Sequence, residues 1–510
     1  MNRRHLTTAA RGAVAAAVSV AAVSISIGLV ATPASAAMQI VVDSTASAGG
    51  DCSQPDRCTL GAAVALAATG SDASIVLPAG TFEVLAPLTV PATGVTIRGA
   101  GAATIISGTD SDRLFEAAGG SLTFADLRLS AGFAEESGGG AIFATDTTLT
   151  LDHVVVSGNG ATGDGGALGL VGGSLSISGS SFSDNFAQSG GAVFTADTAV
   201  AITNSTFSDN GASQSGGAAF ISFPPSFSTV GSTFATNRAI TDGGAIEIEG
   251  VGDNGTAGVI DDSAFDGNGA AGLGGAIFVR TSPTARSAGL TVTDSSFTEN
   301  YADAGGALAL SDPPVTVNGS TFESNTAEGS GGAIVSNTVL TIDDATFDQN
   351  SSGESGGAIA SSGALAITRS GFANNHAGGS GGAFLLIGEL PTITGTFTGN
   401  TADGLGPVAL WTGRTPLTIG GVPASDIAAP LAQAPTPTTE SPVTTIPGSP
   451  ATTTAPGSGP TVPGSTAPGS TVPGPGGGPT VPGPGSGGGG PTLGGPAGPT
   501  VPLGGTLPTT

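Results

Sequence analysis

Short runs of alternating apolar and polar residues recur along the chain from about residue 95 to residue 424. In GGAIVSNTVLTIDDATFDQN (residues 331–350), a period of two places Leu340 with Ile342, and Ala345 with Phe347, on shared faces. These runs hold about three to five residues, too few for an amphipathic helix, and Gly, Ser, Asn and Asp separate them. The pattern predicts three short, half-buried strands and three turns in each unit of about 25 residues.

The unit repeats in register. Gly-Gly-Ala begins at positions 139, 165, 190, 216, 243, 274, 305, 331, 356 and 381. Each unit after the first also carries an F-x-x-N motif, and the first has Val156 with Asn159 in its place. The spacing is mostly 25 or 26 residues and stretches to 31 or 32 in the middle of the array. Repeats of this size that stack on their neighbours form a solenoid, so the sequence predicts an all-β, single-stranded parallel β-helix of about 13 turns and about 60 Å.

The recurring residues have packing roles in this prediction. Each Phe would stack on the next inside the tube, where its burial contributes roughly 1.5–3 kcal/mol. Each Asn would adopt a left-handed turn conformation and hydrogen-bond up a column, and Gly-Gly would form a corner that a Cβ obstructs. The predicted phenylalanine column is Phe182, Phe207, Phe234, Phe265, Phe297, Phe322, Phe347, Phe372 and Phe397. The predicted asparagine column is Asn159, Asn185, Asn210, Asn237, Asn268, Asn300, Asn325, Asn350, Asn375 and Asn400.

The first 36 residues have the pattern of a signal peptide. A basic start precedes an Ala-rich apolar stretch at 12–31, and Ala34-Ser35-Ala36 is a small-x-small cleavage signal, so cleavage is expected after Ala36. An uncleaved membrane anchor is the alternative. No later segment reaches about 18 apolar residues, so no membrane span is expected in the mature, exported chain.

Export favours a disulfide between the two cysteines, Cys52 and Cys58, which lie six residues apart. The alternative is a metal site, but no histidine lies near the two thiols. Residues 37–94 are predicted to cap the open end of the solenoid with a helix of about ten residues that begins after Thr59 and ends at Gly70. Residues 95–424 form the repeats, and residues 425–510, rich in Pro, Thr and Gly, form a disordered linker or wall-spanning tail.

These motifs resemble known families. The repeated GGAI and F-x-x-N resemble polymorphic outer-membrane protein repeats and, more widely, right-handed β-helix proteins with the pectin-lyase-like fold, over roughly residues 95–420. RCTLGAAVALA resembles the namesake motif of the CSLREA domain; Cys58, Leu60 and Ala62 are kept, whereas Gly61 and Ala63 replace charged residues. The resemblance implies a right-handed helix in a secreted or cell-surface bacterial protein and implies no settled activity.

The charge of the chain limits its partners. Its formal net charge is −26, and all 12 of its basic residues are Arg. Such an acidic chain repels nucleic acid and anionic membranes. The partners expected are therefore an extracellular polysaccharide or a surface protein, and the protein is expected to be a single chain without a cofactor.

The pectin-lyase-like fold includes polysaccharide lyases and hydrolases, so acidic clusters are candidates for chemistry. A set of polar residues after the second strand of each unit would line one flank, where calcium is the cation that they would bind; the simpler interpretation is that these positions merely face solvent. Asp152-His153 lacks the second and third carboxylates of a hydrolase, and His376 lies in a turn. Tyr301 and Trp411 are the only Tyr and Trp, which weighs against a sugar-processing groove. The calcium set is Asp261, Asp262, Asp294, Asp343 and Asp344, with Arg369.

Three successive units are longer than the rest because of insertions between their first and second strands. Stacking would place these insertions side by side on one edge, where loops commonly carry function. The alternative is drift in tolerant surface loops. The candidate ligand ridge on this edge comprises Glu247, Glu249, Asp253, Arg280 and Arg286.

The sequence thus favours a secreted or cell-wall-associated, non-catalytic β-helix that acts as an adhesion or structural scaffold with an extended acidic binding surface. No catalytic residue is predicted. The alternative function is a polysaccharide lyase or glycoside hydrolase of the pectin-lyase-like fold.

Overall fold

The computed structural model describes residues 38–428, except 71, 136–137, 252–256, 281–287, 414–415 and 421. The predicted signal peptide and nearly all of the predicted tail therefore lie outside the described residues. The described part is an all-β parallel solenoid of about 12 turns with one short α-helix. The fold class predicted from the repeat is confirmed.

Each regular turn contributes strands to three sheets, which hold 14, 23 and 11 strands within the described residues. The strand after Gly-Gly-Ala belongs to sheet 1, the next two belong to sheet 2, and a two-residue strand after the F-x-x-N motif belongs to sheet 3.

Sheet 1 consists of Leu88–Val90, Phe115–Ala118, Ile142–Thr145, Leu168–Val171, Val193–Ala196, Ala219–Ser222, Ile246–Glu249, Ile277–Arg280, Leu308–Ser311, Ile334–Ser336, Ile359–Ser361, Phe384–Leu386, Ala409–Trp411 and Ile427–Ala428. Sheet 2 consists of Met38–Val41, Ala73–Val76, Gly80–Glu83, Gly94–Arg98, Thr104–Ser107, Ser121–Ser130, Thr148–Ser157, Ser174–Ser178, Ser181–Ser183, Ala199–Thr203, Thr206–Ser208, Phe227–Val230, Thr233–Ala235, Gly258–Asp261, Ala264–Asp266, Leu290–Thr293, Ser296–Thr298, Val315–Asn318, Thr321–Glu323, Leu340–Asp343, Thr346–Asp348, Leu365–Ala373 and Thr392–Thr398. Sheet 3 consists of Phe133–Ala134, Gly160–Ala161, Phe186–Ala187, Gly211–Ala212, Arg238–Ala239, Gly269–Ala270, Tyr301–Ala302, Thr326–Ala327, Ser351–Ser352, His376–Ala377 and Thr401–Ala402.

The strands pair in parallel with their equivalents one turn away, so each repeat position forms a column along the solenoid. Phe322 pairs with Phe347 and Phe347 with Phe372, while Leu340 pairs with Leu365. Three strands per turn were predicted, and the structure adds the fourth, in sheet 3. A two-residue strand shows no alternation, which is why periodicity did not reveal it.

The phenylalanine column lies inside the tube. The rings from Phe182 to Phe372 are almost completely buried and stack with centroids 4.6–4.9 Å apart and planes within 8°. Phe397, in the last regular turn, is only partly buried, and its centroid lies 5.6 Å from that of Phe372. Each ring thus buries its faces against identical rings one strand spacing away.

The asparagine column is a continuous hydrogen-bonded ladder. The Nδ2 group of Asn350 donates to Asn375 Oδ1 and to the carbonyl of Phe322, both at 2.9 Å. The backbone N–H of Asn350 donates to the same Oδ1 at 3.0 Å. Because both amide protons are donated and Oδ1 accepts twice, the buried side chain is fully satisfied.

The prediction that these asparagines adopt the left-handed conformation is wrong. Positive φ angles fall one position earlier, as at Asp184 (56°), Thr236 (56°) and Gln349 (56°). The corner therefore comes before the asparagine, and the Asn side chain is free to point into the column.

The small residue two positions before each Phe also forms a ladder. The backbone N–H of Ser295 donates to Ser320 Oγ at 3.2 Å, and that of Ala345 donates to Ser370 Oγ at 3.1 Å. Ala345 has no hydroxyl, so the ladder is interrupted between Ser320 and Ala345.

The Gly-Gly corner requires both glycines. Gly331 has a φ of 74°, and a Cβ there would lie 2.4 Å from the carbonyl oxygen of Ile334. A Cβ on Gly332 would lie 2.1 Å from the carbonyl oxygen of Gly357, one turn later. Neither distance leaves room for alanine, so Gly-Gly is a consequence of how closely the corners stack.

The N-terminal helix spans Leu60–Ala67, and the Thr59 side chain accepts the Ala62 N–H at its start. Its buried residues contact the first strands of the solenoid. Parallel pairing begins upstream of residue 95, since Met38 pairs with Ala73 and Ala73 with Val95. The segment predicted as a cap therefore also supplies the first turns. The predicted disulfide is present between Cys52 and Cys58, immediately before the helix.

Candidate functional site

Three neighbouring sheet 1 strands directly precede the three insertions in the sequence. The strands Ala219–Ser222, Ile246–Glu249 and Ile277–Arg280 pair in register. Ser222 lies beside Glu249, and Glu249 beside Arg280. Of the candidate ligand ridge, the structure brings together Glu247, Glu249 and Arg280, whereas Asp253 and Arg286 lie outside the described residues.

Alternation in the sequence IEIE sends two isoleucines into the core and two glutamates to the outside. Glu247 nevertheless has only 2% of its surface exposed. Arg280 contacts both glutamates: its Nε lies 2.7 Å from Glu247 Oε1 and its Nη1 lies 3.0 Å from Glu249 Oε1. One guanidinium thus holds two carboxylates from the preceding turn.

Burial controls the electrostatics of this cluster. It raises the pKa of Glu247 above its ordinary value, an effect only partly opposed by hydrogen bonding from Ser215 and Arg280. The pKa of Arg280 is raised overall. Burial lowers it, but the hydrogen bond to Glu247 and the negative charges of Glu247, Glu249 and Asp242 together outweigh this effect. Burial decides the direction of the pKa change at Glu247 but not at Arg280, because the Arg280 side chain reaches solvent and the Glu247 side chain does not.

Glu247 keeps one buried oxygen, Oε2, without a hydrogen bond of good geometry. A buried carboxyl group with an unpartnered oxygen takes up a proton at a higher pH than an exposed carboxyl group does. No group of three or more His, Cys, Asp or Glu side chains suited to a metal ion occurs within the described residues. The buried carboxyl group of Glu247 can therefore exchange a proton as the pH changes.

Asp262, Asp294 and Asp344 of the predicted calcium set lie at corners between the second and third strands, whereas Asp261 and Asp343 end the strands before those corners. Asp262, Asp294, Asp344 and Arg369 all have positive φ angles of 46–53°. Short polar side chains tolerate this conformation, which explains why Asp recurs there. Arg369 forms an ion pair with Asp343, so part of the flank is neutralised within the protein.

The two remaining candidates from the sequence are surface residues. His153 Nδ1 lies 2.8 Å from Asp152 Oδ1, both side chains are exposed, and His153 occupies the same type of corner. His376 Nδ1 lies 3.0 Å from Thr401 Oγ1. Neither pair meets a further acidic group in a cleft among the described residues.

Sheet 1 also carries an outward-facing row of phenylalanines, which was not predicted from the sequence. Phe143, Phe194, Phe220 and Phe278 follow an inward-facing residue in their strands and lie on the outer face, half-buried or buried. Phe194 and Phe220 stack with centroids 5.8 Å apart. The signal was the apolar pair after Gly-Gly-Ala, because the second residue of such a pair in a strand points outwards.

A cleft of about 640 Å³ lies at the N-terminal end of this row and includes Arg113, Glu116 and Phe143. The guanidinium of Arg113 lies 4.9 Å from the centre of the Phe143 ring and donates to the carbonyls of Gly138 and Gly139, each at 2.9 Å. Burial lowers the pKa of Arg113, opposed by Glu116. Arg113 thus secures the first Gly-Gly corner.

Comparison with known proteins gives one sequence match. The model of the Chlamydia polymorphic membrane protein repeat matches residues 262–280, 319–337 and 344–362. These segments carry the Gly-Gly-Ala strands and their flanking turns. No curated protein matches the sequence.

Several solved structures are similar at low identity. The A-module of the mannuronan C-5 epimerase AlgE4 of Azotobacter vinelandii is 14% identical, with 71% of this chain and 96% of that chain covered and a TM-score of 0.34. The AlgE6 A-module of the same organism is 13% identical, with 73% and 94% covered and a TM-score of 0.32. The catalytic unit of a GH87 α-1,3-glucanase from Streptomyces thermodiastaticus is 13% identical, with 74% and 70% covered and a TM-score of 0.33.

Proposed function

We propose that this protein is an exported, surface-associated and non-catalytic β-solenoid that acts as an adhesion or structural scaffold. The observation that carries the proposal is the asparagine ladder, which runs without a break from Asn159 to Asn400. The residues that recur in every turn are used to hold the tube together. What varies from turn to turn lies outside, where an extended partner can contact it.

Three features support a surface location. Residues 1–36 have the pattern of a signal peptide, the Cys52–Cys58 disulfide suits an oxidising compartment, and the matched repeat is named after membrane proteins of Chlamydia. Residues 425–510 would serve as a spacer through a cell wall. The CSLREA resemblance of residues 37–94 adds an N-terminal domain of a kind that precedes β-helices in secreted proteins.

None of the described helices is long and apolar enough to cross a bilayer.

The alternative, a polysaccharide lyase or hydrolase, receives less support. A glycoside hydrolase of the common type places two carboxyl groups on either side of the scissile bond. Glu247 and Glu249 instead contact a single guanidinium from the same side. The corner aspartates are explained by backbone conformation.

The proposal is tested with the full mature chain, residues 37–510. The purified protein is incubated with whole cells of the source bacterium and with pectin, alginate and glycosaminoglycans, and bound protein, reducing ends and unsaturated products are measured. Saturable cell binding without new sugar ends supports the scaffold. Turnover that is lost in a D262N/D294N variant would establish the enzyme instead, and failure to bind cells would remove the adhesion role.

A further inference from the structure

An outward column on sheet 3 carries large side chains at every second turn and glycines between them. Its register pairs Phe133 with Gly160, Gly160 with Phe186, and Phe186 with Gly211. The pattern continues through a second segment, after which smaller side chains follow. That segment is Arg238, Gly269 and Tyr301. We name Phe133, Phe186, Arg238 and Tyr301 the sheet 3 strip.

The glycines of this column are explained by the rings. Gly160, Gly211 and Gly269 do not have positive φ angles, so the backbone does not require glycine there. A Cβ on Gly269 would lie 2.1 Å from Tyr301 Cζ, and one on Gly160 would lie 3.1 Å from Phe133 Cδ2. A Cβ on Gly211 would meet Phe186 Cδ2 at 3.4 Å, an ordinary contact distance. The three rings therefore lie along the sheet, each over a neighbouring glycine.

Phe186, Arg238 and Tyr301 are exposed, whereas Phe133 is half-buried. The exposed aromatic side chains within the described residues are Phe186 at 56%, Tyr301 at 43% and Phe223 at 41%. Two of the three belong to this one column. The guanidinium of Arg238 lies over the Tyr301 ring, 4.6 Å from its centre, and so stacks a second planar group on that ring.

The arrangement suits a linear polymer with a regular repeat. Strand spacing sets the Cα atoms of the strip residues about 10 Å apart on a straight line. The electron-rich face of an aromatic ring attracts polarised C–H bonds, such as those on the face of a pyranose ring. A protein partner would not require an even interval, whereas an extended β-1,4-linked glycan turns the same face of every second sugar in one direction.

The net charge of the protein indicates which class of glycan it can bind. The chain has a formal net charge of −26, which disfavours uronate and sulfated polymers, and the strip itself carries a single positive side chain. We infer that the sheet 3 strip binds a neutral β-1,4-linked polysaccharide. This inference rests on the proposed scaffold function and specifies its partner.

The test measures binding of the mature chain to cellohexaose and chitohexaose by calorimetry, with maltohexaose and oligogalacturonate as contrasting ligands. The wild type should bind at least one of the two β-1,4 oligomers and neither contrasting ligand. Phe186→Ala and Tyr301→Ala should each weaken binding roughly threefold to tenfold, because one aromatic contact contributes about 0.5–1.5 kcal/mol. Phe186→Trp should retain binding.

Phe223→Ala is the matched control, since Phe223 is a similarly exposed ring outside the strip, and it should bind as the wild type does. The inference is overturned if the wild type binds neither β-1,4 oligomer, if it binds oligogalacturonate equally well, or if the strip variants keep full affinity. Lower melting temperatures with unchanged affinity would identify the rings as covers for the glycines. Whole-cell binding measured in parallel separates the two proposals: cell binding that survives in the strip variants leaves the scaffold function standing without this ligand.

Discussion

The turns with insertions and the turns without them differ outside and agree inside. Successive asparagines are 31 and 32 residues apart around Asn268 and 25 apart around Asn350. The Phe234–Phe265 and Phe322–Phe347 ring centroids are nevertheless 4.9 and 4.7 Å apart. The strands that follow the extra residues pair in the same register as elsewhere. The length of a turn and the geometry of its core are therefore independent in this solenoid.

The largest expected effect comes from emptying the phenylalanine column in either region. Phe265→Ala, in a turn with an insertion, and Phe347→Ala, in a regular turn, should each destabilise the fold by about 3–5 kcal/mol, because each leaves a cavity between two rings. Chemical denaturation of the two variants measures this. A cost at Phe265 far below that at Phe347 would show that the insertions loosen the core.

The next effect concerns the asparagine ladder. Asn268→Ala and Asn350→Ala each leave a buried backbone carbonyl and a neighbouring amide without partners, and the expected loss is about 2–3 kcal/mol in both regions. Thermal unfolding followed by circular dichroism is the measurement. The exposed corner variant Gln349→Ala is the control and should change little; equal losses in all three variants would argue against the ladder.

A smaller effect is expected on the outside of the turns with insertions, where Glu247 lies. The pKa of Glu247 is raised in the folded protein, so protonation favours the fold: its contribution is greatest below the ordinary value of 4.5 and is lost as the pH rises through the folded value. Relative to Glu247→Gln, the wild type should therefore gain stability as the pH falls from 7 to 4. Urea titrations at several pH values test this, and parallel curves for the two proteins would refute it.

The smallest effect completes the serine ladder. Ala345→Ser would supply the hydroxyl that the Ser320 N–H lacks and should stabilise the fold by about 0.5–1.5 kcal/mol. Ser370→Ala is the reverse change one turn later and should destabilise by a similar amount. If both variants change the melting temperature in the same direction, the ladder bonds are not what these residues contribute.

The interior of the solenoid could be predicted from the sequence because three signals agree. The period of two, the turn residues and the unit length all place the same residues in the same internal columns. Residues such as Phe347 and Asn350 recur with one identity, since only one size or one hydrogen-bonding pattern fits. The left-handed corner was misassigned because its requirement concerns the backbone alone. Asp184, Thr236 and Gln349 all meet it, so no single residue type marks it.

The exterior was harder to predict for a different reason. Stacking of successive turns predicted that Glu247 and Arg280 would lie on one edge, but alternation placed Glu247 outside and did not reveal its burial. The strip on sheet 3 has an irregular composition, and its meaning emerges only when Phe186 and Tyr301 are seen to share a column. Surface function in such a repeat requires the register as well as the period.

The most direct test of the central claim is hydrogen exchange of the asparagine side-chain amides, measured by NMR in the mature protein. The account predicts that the Nδ2 protons of Asn268 and Asn350 are protected as strongly as the backbone amides of the adjoining strands, in spite of the different loop lengths. Rapid exchange at either residue, at the rate of a solvent-exposed amide, would contradict a continuous internal ladder.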